Sequence, residues 1–204
     1  MSPTISTPAR IEIAVDGRMT GATRVYRKHL GDMDGVYADP DAYAAALARD
    51  GADQLVYDVH EHRYGSEPGA LIVGTSTLLP GRYGEEFAVT RGHLHAVADR
   101  AELYHCLSGH GVMLLETLDG RSEAVELRAG QAVDVPGHWV HRSVNVGTEP
   151  FVTLFCYAAD AGQDYGVISE AGGMRDLVVA DGEGEGEGWT VRTNPAHRGY
   201  RARS

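Results

Sequence analysis

The chain has 204 residues, of which 43% are hydrophobic, and this is enough for one sizeable hydrophobic core in a single domain. Its 18 basic and 29 acidic residues give a net charge of −11, which argues against a nucleic acid or an anionic membrane surface as the main partner. Lys28 is the only lysine, so Schiff-base chemistry or a lysine general base would depend on this single position.

The cysteines and the N-terminal residues indicate the cellular compartment. Cys106 and Cys156 lie in apolar runs and do not form a Cys-x-x-Cys pair, so a disulfide scaffold is not expected. The first residues lack the basic and apolar regions of a secretory signal, and no run of about 18 apolar residues occurs. We therefore expect a soluble cytoplasmic protein with reduced thiols.

One helix is predicted near the N-terminus, and almost everything after it is predicted as strands. Asp39 is suited to be the N-cap, Pro40 to be the first helical position, and Asp50-Gly51 to end the helix. Short β-branched or alternating runs follow, separated by Gly, Pro and Asp turns. Their spacing predicts an all-β sandwich or barrel. The predicted strands cover residues 54–60, 70–79, 86–90, 101–107, 111–116, 123–127, 131–135, 140–146 and 151–157.

The C-terminal part contains a low-complexity stretch, DGEGEGEG, over residues 181–188. Such a composition buries little apolar area, so we predict an acidic flexible loop before a short run that begins at Trp189. Arg198, Arg201 and Arg203 are predicted to belong to a mobile tail.

The residues best suited to chemistry begin in the segment Arg91-Gly92-His93-Leu94-His95. Because side chains alternate along a strand, His93 and His95 point to the same face and can hold one ion together. Glu102 follows seven residues later and would lie on the opposite face of an unbroken strand. We therefore predict a turn at residues 98–100, after which Glu102 opens the next strand, antiparallel to the first and beside the histidines.

A second segment can bring a third imidazole to the same place, because Pro136-Gly137 turns the chain and His141 then starts a strand. Three histidines and one carboxylate leave coordination positions open, which is typical of a working metal rather than a closed structural site. Fe, Mn, Ni, Zn and Co all suit these ligands. His60-Glu61-His62 has the same spacing, but Gly69 stands where an acidic ligand would follow, so we interpret these as surface polar residues.

These motifs resemble the paired motifs of the cupin superfamily, whose fold is a double-stranded β-helix, or jelly-roll barrel. More narrowly, the chain from about Asp32 to Gly166 is similar to the cupin-type, archaeal-type glucose-6-phosphate isomerases. The segments that carry this resemblance are Thr90-Arg91-Gly92-His93-Leu94-His95, Ala101-Glu102-Leu103-Tyr104, Trp139-Val140-His141-Arg142-Ser143-Val144-Asn145, and Tyr157 with Asp160-Ala161-Gly162-Gln163-Asp164-Tyr165-Gly166.

The resemblance implies an all-β cupin barrel with one short N-terminal helix, in a homodimeric enzyme that interconverts glucose 6-phosphate and fructose 6-phosphate. It implies one divalent metal ion per subunit, iron in some members, and a sugar phosphate as partner, without nucleic acid or membrane. The domain boundaries expected from it are an N-terminal extension at residues 1–31 that joins the barrel or a dimer interface, a cupin domain at 32–180, and a loop, last strand and tail at 181–204.

The resemblance also implies roles for individual residues. Gln163 and Ser76 are expected among the substrate contacts, although the family commonly has histidine at the first position and threonine at the second. The metal ligands carry over onto His93, His95, Glu102 and His141. The substrate contacts carry over onto Thr90, Gly92, Tyr104 and Tyr165, with Tyr157 near the reacting carbons.

The chemistry of an aldose–ketose isomerisation fits these residues. A base must move a proton between C1 and C2, and we expect Glu102 to be this base, with Tyr157 as a second group that handles protons. Whether Glu102 is ligand, base or both stays open. For the phosphate, Thr90-Arg91-Gly92 with Ser76 offers hydroxyls, backbone N–H groups and one guanidinium. Two alternatives remain, an Fe(II) cupin dioxygenase and a non-catalytic sugar-binding cupin.

Overall fold

The structure is a computed structural model that describes residues 7–182 and 188–201. Within these residues the chain forms two antiparallel sheets and two α-helices, α1 (Pro40–Asp50) and α2 (Gly166–Glu170), besides a 3-10 helix at Leu30–Met33. The strands are β1 (Arg24–His29), β2 (Leu55–Arg63), β3 (Leu71–Leu78), β4 (Arg82–Tyr83), β5 (Glu86–Val89), β6 (Glu102–Ser108), β7 (His110–Thr117), β8 (Ser122–Arg128), β9 (Ala132–Val135), β10 (Trp139–Asn145), β11 (Phe151–Ala158), β12 (Asp176–Ala180) and β13 (Trp189–Thr193).

The strand order confirms the predicted jelly-roll barrel. One sheet has the order β1-β2-β3-β11-β6-β9, and the other has the order β13-β12-β5-β10-β7-β8, with β4 paired to β5. From β3 to β11 the chain passes repeatedly from one sheet to the other, so strands distant in sequence become neighbours. Apolar side chains fill the barrel and the spaces under its covering segments, among them Phe151, Ile72, Leu78, Met113, Leu127 and Val135.

The predicted helix is confirmed as α1. The Asp39 carboxylate accepts hydrogen bonds from the backbone N–H groups of Asp41 (3.0 Å) and Ala42 (2.9 Å), and the helix ends at Gly51. The expectation of one helix was incomplete, because α2 is a second one. Its first turn is stabilised by Asp164, whose carboxylate accepts hydrogen bonds from Gly166 N and Val167 N, a local contact that competes with the β-propensity of this segment.

Asn145 connects the two sheets from inside the barrel. This residue of β10 is fully buried, and its Nδ2 donates to the carbonyl oxygens of Leu78, at the end of β3, and of Glu149, each at 2.9 Å. Its Oδ1 accepts from Gly147 N, also at 2.9 Å. All polar atoms of this side chain are thereby used to hold β10, which carries His141, against the opposite sheet.

The ends of the chain pack on the barrel. A bridge between Ile13 and Met19 closes an N-terminal turn over the outer face of the first sheet, where Thr75 Oγ1 donates to Gly17 O at 2.5 Å. At the other end, Arg198 N donates to Ala171 O at 2.8 Å. The prediction of a mobile tail was therefore wrong for Arg198, because tertiary contacts hold it.

Parts of the C-terminal predictions fall on residues outside those described. Residues 183–187 of the acidic loop and Arg203 belong to this group. Arg201 is the last described residue and is exposed. In the described part of the chain, neither α1 nor α2 is long and apolar enough to cross a bilayer.

Candidate metal centre and active site

Four buried side chains converge at one end of the barrel. The Nε2 atoms of His95 and His141 each lie 3.1 Å from Glu102 Oε2, and His93 Nε2 lies 3.9 Å from the same oxygen. One nitrogen or oxygen atom from each residue falls within a group no more than 4.8 Å across. The structure therefore brings together the four residues that the sequence motifs singled out.

The histidines converge because two distant segments pair with each other. His93 and His141 form an antiparallel bridge, with His93 N donating to His141 O at 3.1 Å and His141 N donating to His93 O at 3.0 Å. The predicted turn at residues 98–100 is present, and Arg100 N donates to Val97 O at 3.0 Å. It returns the chain to Glu102, the first residue of β6.

The predicted neighbour of the glutamate strand was wrong. β6 pairs with β11 and β9, whereas His93 is bridged to His141 of the other sheet. Glu102 therefore approaches the histidines across the barrel and not from an adjacent strand. The carboxylate still faces the imidazoles, because the inner faces of both sheets point into the same interior.

The hydrogen bonds of the imidazoles determine which nitrogen of each ring is directed into the four-residue cluster. His95 Nδ1 donates to Arg100 O at 2.8 Å, and His141 Nδ1 donates to Trp139 O at 3.0 Å. Because a carbonyl can only accept, each ring carries a proton on Nδ1, and Nε2, which is hydrogen-bonded to Glu102 Oε2 at 3.1 Å, is the nitrogen that would coordinate an ion. His93 Nε2 is buried without a hydrogen-bond partner among the described residues. Three imidazole nitrogens that converge with a carboxylate form a donor set typical of a metal site, so the residues present fit a metal ion.

The ionisation states of these groups also suit metal binding. Burial alone would raise the pKa of Glu102, but the adjacent imidazoles of His141 and His95 outweigh it and hold the pKa well below its usual range. Burial, together with the neighbouring His141, lowers the pKa of His93 well below its ordinary value. Burial disfavours the charged form of His95, but the hydrogen bond with Glu102 outweighs burial and raises the His95 pKa. An ionised carboxylate and a neutral imidazole are the forms that bind metals, so metal binding would release the extra proton from His95.

The four-residue cluster lies at the wall of a cavity inside the barrel. Of the predicted metal ligands, His93, Glu102 and His141 line it directly, and His95 stands behind them with its ring 5.6 Å from that of Tyr157. The predicted substrate-contacting residues that also line it are Ser76, Thr90, Gly92, Tyr104, Tyr157, Gln163 and Tyr165.

Arg91 does not line the cavity, in contrast to its neighbours Thr90 and Gly92. Its guanidinium lies 5.9 Å from the centroid of the Tyr165 ring. The Arg91 carbonyl accepts a hydrogen bond from Arg142 Nη2 at 2.9 Å. The hydrogen bond from Arg142 thus holds the backbone of this turn, and the Arg91 guanidinium, predicted to contact the phosphate, lies at the rim of the cavity.

Two tyrosines flank the carboxylate. Tyr104 follows Glu102 by two residues on β6 and makes a side-chain hydrogen bond with it, and burial raises the Tyr104 pKa well above its ordinary value. Burial, with a further contribution from Glu61, also raises the pKa of Tyr157. Both hydroxyls therefore keep their protons at neutral pH and are available as hydrogen-bond donors.

Gln163 and Tyr165 form the edge of the cavity. The Tyr165 hydroxyl donates to Gln163 Oε1 at 2.5 Å, and Tyr165 makes a second side-chain hydrogen bond with Tyr26. The ring of Tyr165 lies 5.7 Å from that of His93. Gln163, where the family commonly has histidine, is therefore tied to a residue that touches the cluster.

The sequence interpretation missed cavity residues on β2. His60-Glu61-His62 was expected to be surface polar, but the Glu61 side chain is 1% exposed and lines the cavity. His62 is also buried, on the opposite face of the strand, where its Nδ1 bonds to Gly21 O at 2.7 Å. Period-two alternation from Tyr57 through Glu61 was the signal available in the sequence.

Comparison with known proteins identifies the family. A sequence model described as glucose-6-phosphate isomerase matches residues 27–195. The chain belongs to the glucose-6-phosphate isomerase family. It is 46% identical to a glucose-6-phosphate isomerase of Sinorhizobium medicae over 89% of this chain and 83% of the relative. It is 45% identical to one of Thermococcus gammatolerans over 82% and 86%, and 41% identical to one of Pyrococcus furiosus over 82% and 87%.

These relatives confirm the predicted resemblance to the archaeal-type enzymes. Among solved structures, an oxalate oxidase superposes with a TM-score of 0.45 and 18% identity, over 53% of this chain and 54% of that one. A likeness this distant says nothing about the activity.

Proposed function

We propose that this chain is a metal-dependent aldose–ketose isomerase that interconverts glucose 6-phosphate and fructose 6-phosphate through an enediolate. The observation that carries the proposal is the convergence of His93, His95, Glu102 and His141 at a cavity wall, in a chain whose relatives are named for this activity. The proposal includes one divalent ion per subunit. Fe²⁺ is the first candidate, and Mn²⁺, Ni²⁺, Zn²⁺ and Co²⁺ suit the same ligands.

The chain's own residues can perform the proton transfers. A divalent ion held by the four residues would supply Lewis-acid stabilisation for the negative charge that develops on the substrate oxygen. Glu102 removes the proton from C2 of the aldose and returns it to C1, and the hydroxyl proton passes from O2 to O1 with Tyr157 as the mediating hydroxyl. The imidazoles contact Oε2 of Glu102 at 3.1–3.9 Å, and we assign the proton transfer to its second oxygen.

The rest of the cavity suits a phosphorylated sugar. Ser76 and Thr90 supply hydroxyls, and the turn at Gly92 brings backbone close to the cavity. Tyr165 provides a further hydroxyl at the edge. The homodimer that the resemblance implies and the cytoplasmic location expected from the cysteines and the N-terminal residues remain predictions. The oligomeric state in solution tests the first of them.

A coupled assay tests the proposal. The purified chain is treated with a chelator, dialysed, and reloaded separately with each of the five metals, and the formation of glucose 6-phosphate from fructose 6-phosphate is followed with a dehydrogenase. We expect turnover that the chelator abolishes and at least one metal restores. Absence of turnover with all five metals would contradict the isomerase.

A pair of histidine variants tests the metal site. His141→Ala removes one ligand of the four-residue cluster, so both bound metal and turnover should fall. His110→Ala is the matched control, because His110 is partly exposed, pairs with Glu126 at 2.7 Å and does not belong to the four-residue cluster, so this variant should keep both. Metal content is measured by elemental analysis of the dialysed proteins. Equal metal content in the two variants would refute the assignment of the ligands.

The same preparations distinguish the two alternatives. An Fe(II) dioxygenase consumes oxygen, which an isomerase does not, so an oxygen electrode separates these activities. A non-catalytic sugar-binding protein would bind the sugar phosphate, as measured by calorimetry, without turnover.

A further inference from the structure

The inner face of β2 carries an ion pair between a buried carboxylate and a partly buried guanidinium, which the proposed chemistry does not yet use. Glu61 and Arg63 are two residues apart and point to the same side of the strand, where Glu61 lines the cavity. Glu61 lies opposite Gly74 of β3. The ring of Phe155 occupies the space beside Gly74, because a Cβ at Gly74 would come within 2.2 Å of Phe155 Cζ. Because Gly74 has no side chain, side chains of β2 and β11 can approach each other across β3.

Glu61 holds the guanidinium of Arg63 in one orientation. Arg63 Nε and Nη2 both donate to Glu61 Oε2, at 2.9 and 2.8 Å. Arg24 Nη1 on the neighbouring strand lies 3.6 Å from the same oxygen. Two fixed contacts to one carboxylate leave the planar guanidinium little rotational freedom.

From this position Arg63 contacts a predicted catalytic residue. Its Nη2 lies 3.3 Å from the hydroxyl oxygen of Tyr157 on β11. A guanidinium has only N–H donors, so the Tyr157 oxygen is the acceptor. The hydroxyl proton is therefore directed away from Arg63, and the Tyr157 side chain lines the cavity in which the substrate would bind.

We propose that Arg63, oriented by Glu61, is a positioning residue that makes Tyr157 a hydrogen-bond donor toward a substrate oxygen. The inference rests on the proposed isomerase function and adds a role for two residues outside the family motifs. Without the guanidinium, the Tyr157 hydroxyl can rotate and lose its fixed direction. Arg63 then acts through Tyr157 and does not itself touch the sugar.

A double-mutant cycle in the metal-loaded enzyme tests this role. Arg63→Met should lower kcat about tenfold, the size expected for the loss of one hydrogen bond from a charged donor, while KM changes by less than about twofold. In a Tyr157→Phe background, which has no hydroxyl to orient, Arg63→Met should lower kcat by less than about twofold. Arg63→Lys keeps a positive donor and should recover part of the loss.

The controls address folding and general charge effects. Arg27→Met is the matched control, because Arg27 is exposed on the neighbouring strand β1 and should leave kcat and KM unchanged. Removing the Arg63 guanidinium leaves the Glu61 carboxylate, which is 1% exposed, with the longer Arg24 contact at 3.6 Å, so we expect Arg63→Met to unfold at a lower temperature than the wild type and Arg63→Lys, which keeps the charge, to unfold closer to it. Thermal unfolding of every variant checks this expectation. Kinetics are therefore compared at a temperature where every variant is folded.

Two results would overturn the inference. If Arg63→Met lowers kcat by the same factor with and without the Tyr157 hydroxyl, Arg63 acts by another route. If KM rises while kcat is unchanged, Arg63 is a substrate contact. Failure of the proposed function is a separate outcome, because the wild type itself would then show no turnover with any of the five metals, and the inference would fall with it.

Discussion

Gly92 is the position where one added methyl group should disturb both the fold and the metal centre. Its φ of +71° lies in the left-handed region, which costs a residue with a Cβ about 1–2 kcal/mol. A Cβ there would lie 2.8 Å from His141 O and 2.9 Å from both Arg142 Cβ and Ile168 Cδ1. Relieving such overpacking costs about 1–3 kcal/mol more. We expect Gly92→Ala to lose about 3 kcal/mol, or about 10 °C in melting temperature for a chain of this size.

Gly35→Ala separates backbone strain from the close contact. Gly35 has nearly the same φ, +70°, but a Cβ there would meet nothing within 4 Å. It should therefore lose only the strain contribution, about 1–2 kcal/mol, and about half as many degrees as Gly92→Ala. The segment displaced in Gly92→Ala includes the bridge between His93 and His141, so metal affinity should fall in that variant alone.

Thermal unfolding of the metal-free proteins and metal titration of each variant provide the measurements. Equal losses in melting temperature for Gly92→Ala and Gly35→Ala would show that the close contact with the His141 carbonyl does not contribute to the loss of stability. Unchanged metal affinity in Gly92→Ala would show that the bridge does not position the ligands. Either result would refute the reasoning.

Three further predictions follow from particular contacts. Asn145→Ala leaves two carbonyls and one N–H without the partner they now have, so urea unfolding should show a loss of about 3 kcal/mol with metal content retained. Gln163→Ala removes one of the two side-chain hydrogen bonds of Tyr165, and KM for fructose 6-phosphate should rise about threefold or more in steady-state kinetics, the cost of losing one orienting hydrogen bond; an unchanged KM would contradict it. Burial raises the pKa of Glu86 above 4.5, so the folded state binds the proton more tightly than the unfolded state. The wild type should therefore lose stability relative to Glu86→Gln as the pH rises from 4.5 through the raised pKa, and parallel stability curves would refute this.

Local rules of the sequence predicted much of the candidate site. Alternation along a strand placed His93 and His95 on one face, and the turn at residues 98–100 accounted for the position of Glu102. The capping residue Asp39 and Pro40 predicted the start of α1 correctly. These features depend on neighbours within a few residues, which is why the sequence alone carries them.

Pairings across the barrel were not predictable in this way. The strand that begins at Glu102 was expected beside the histidines, but the jelly-roll topology puts it in the opposite sheet. The link from Arg63 to Tyr157 joins residues 94 positions apart and depends on the order β2-β3-β11. No local pattern specifies this order, because it results from which strands bury the most apolar surface together.

The donor types, their spacing, the turns and caps and, through the motifs, the family can all be recognised without coordinates. The folded chain sets which atoms meet, as when Glu102 Oε2 comes within 3.1 Å of His95 and His141 from the other side of the barrel. It also decided that Glu61 is buried in the cavity and that Arg91 lies at its rim. The physical reason is that side-chain direction is fixed locally by the backbone, whereas distance and burial depend on long-range strand register.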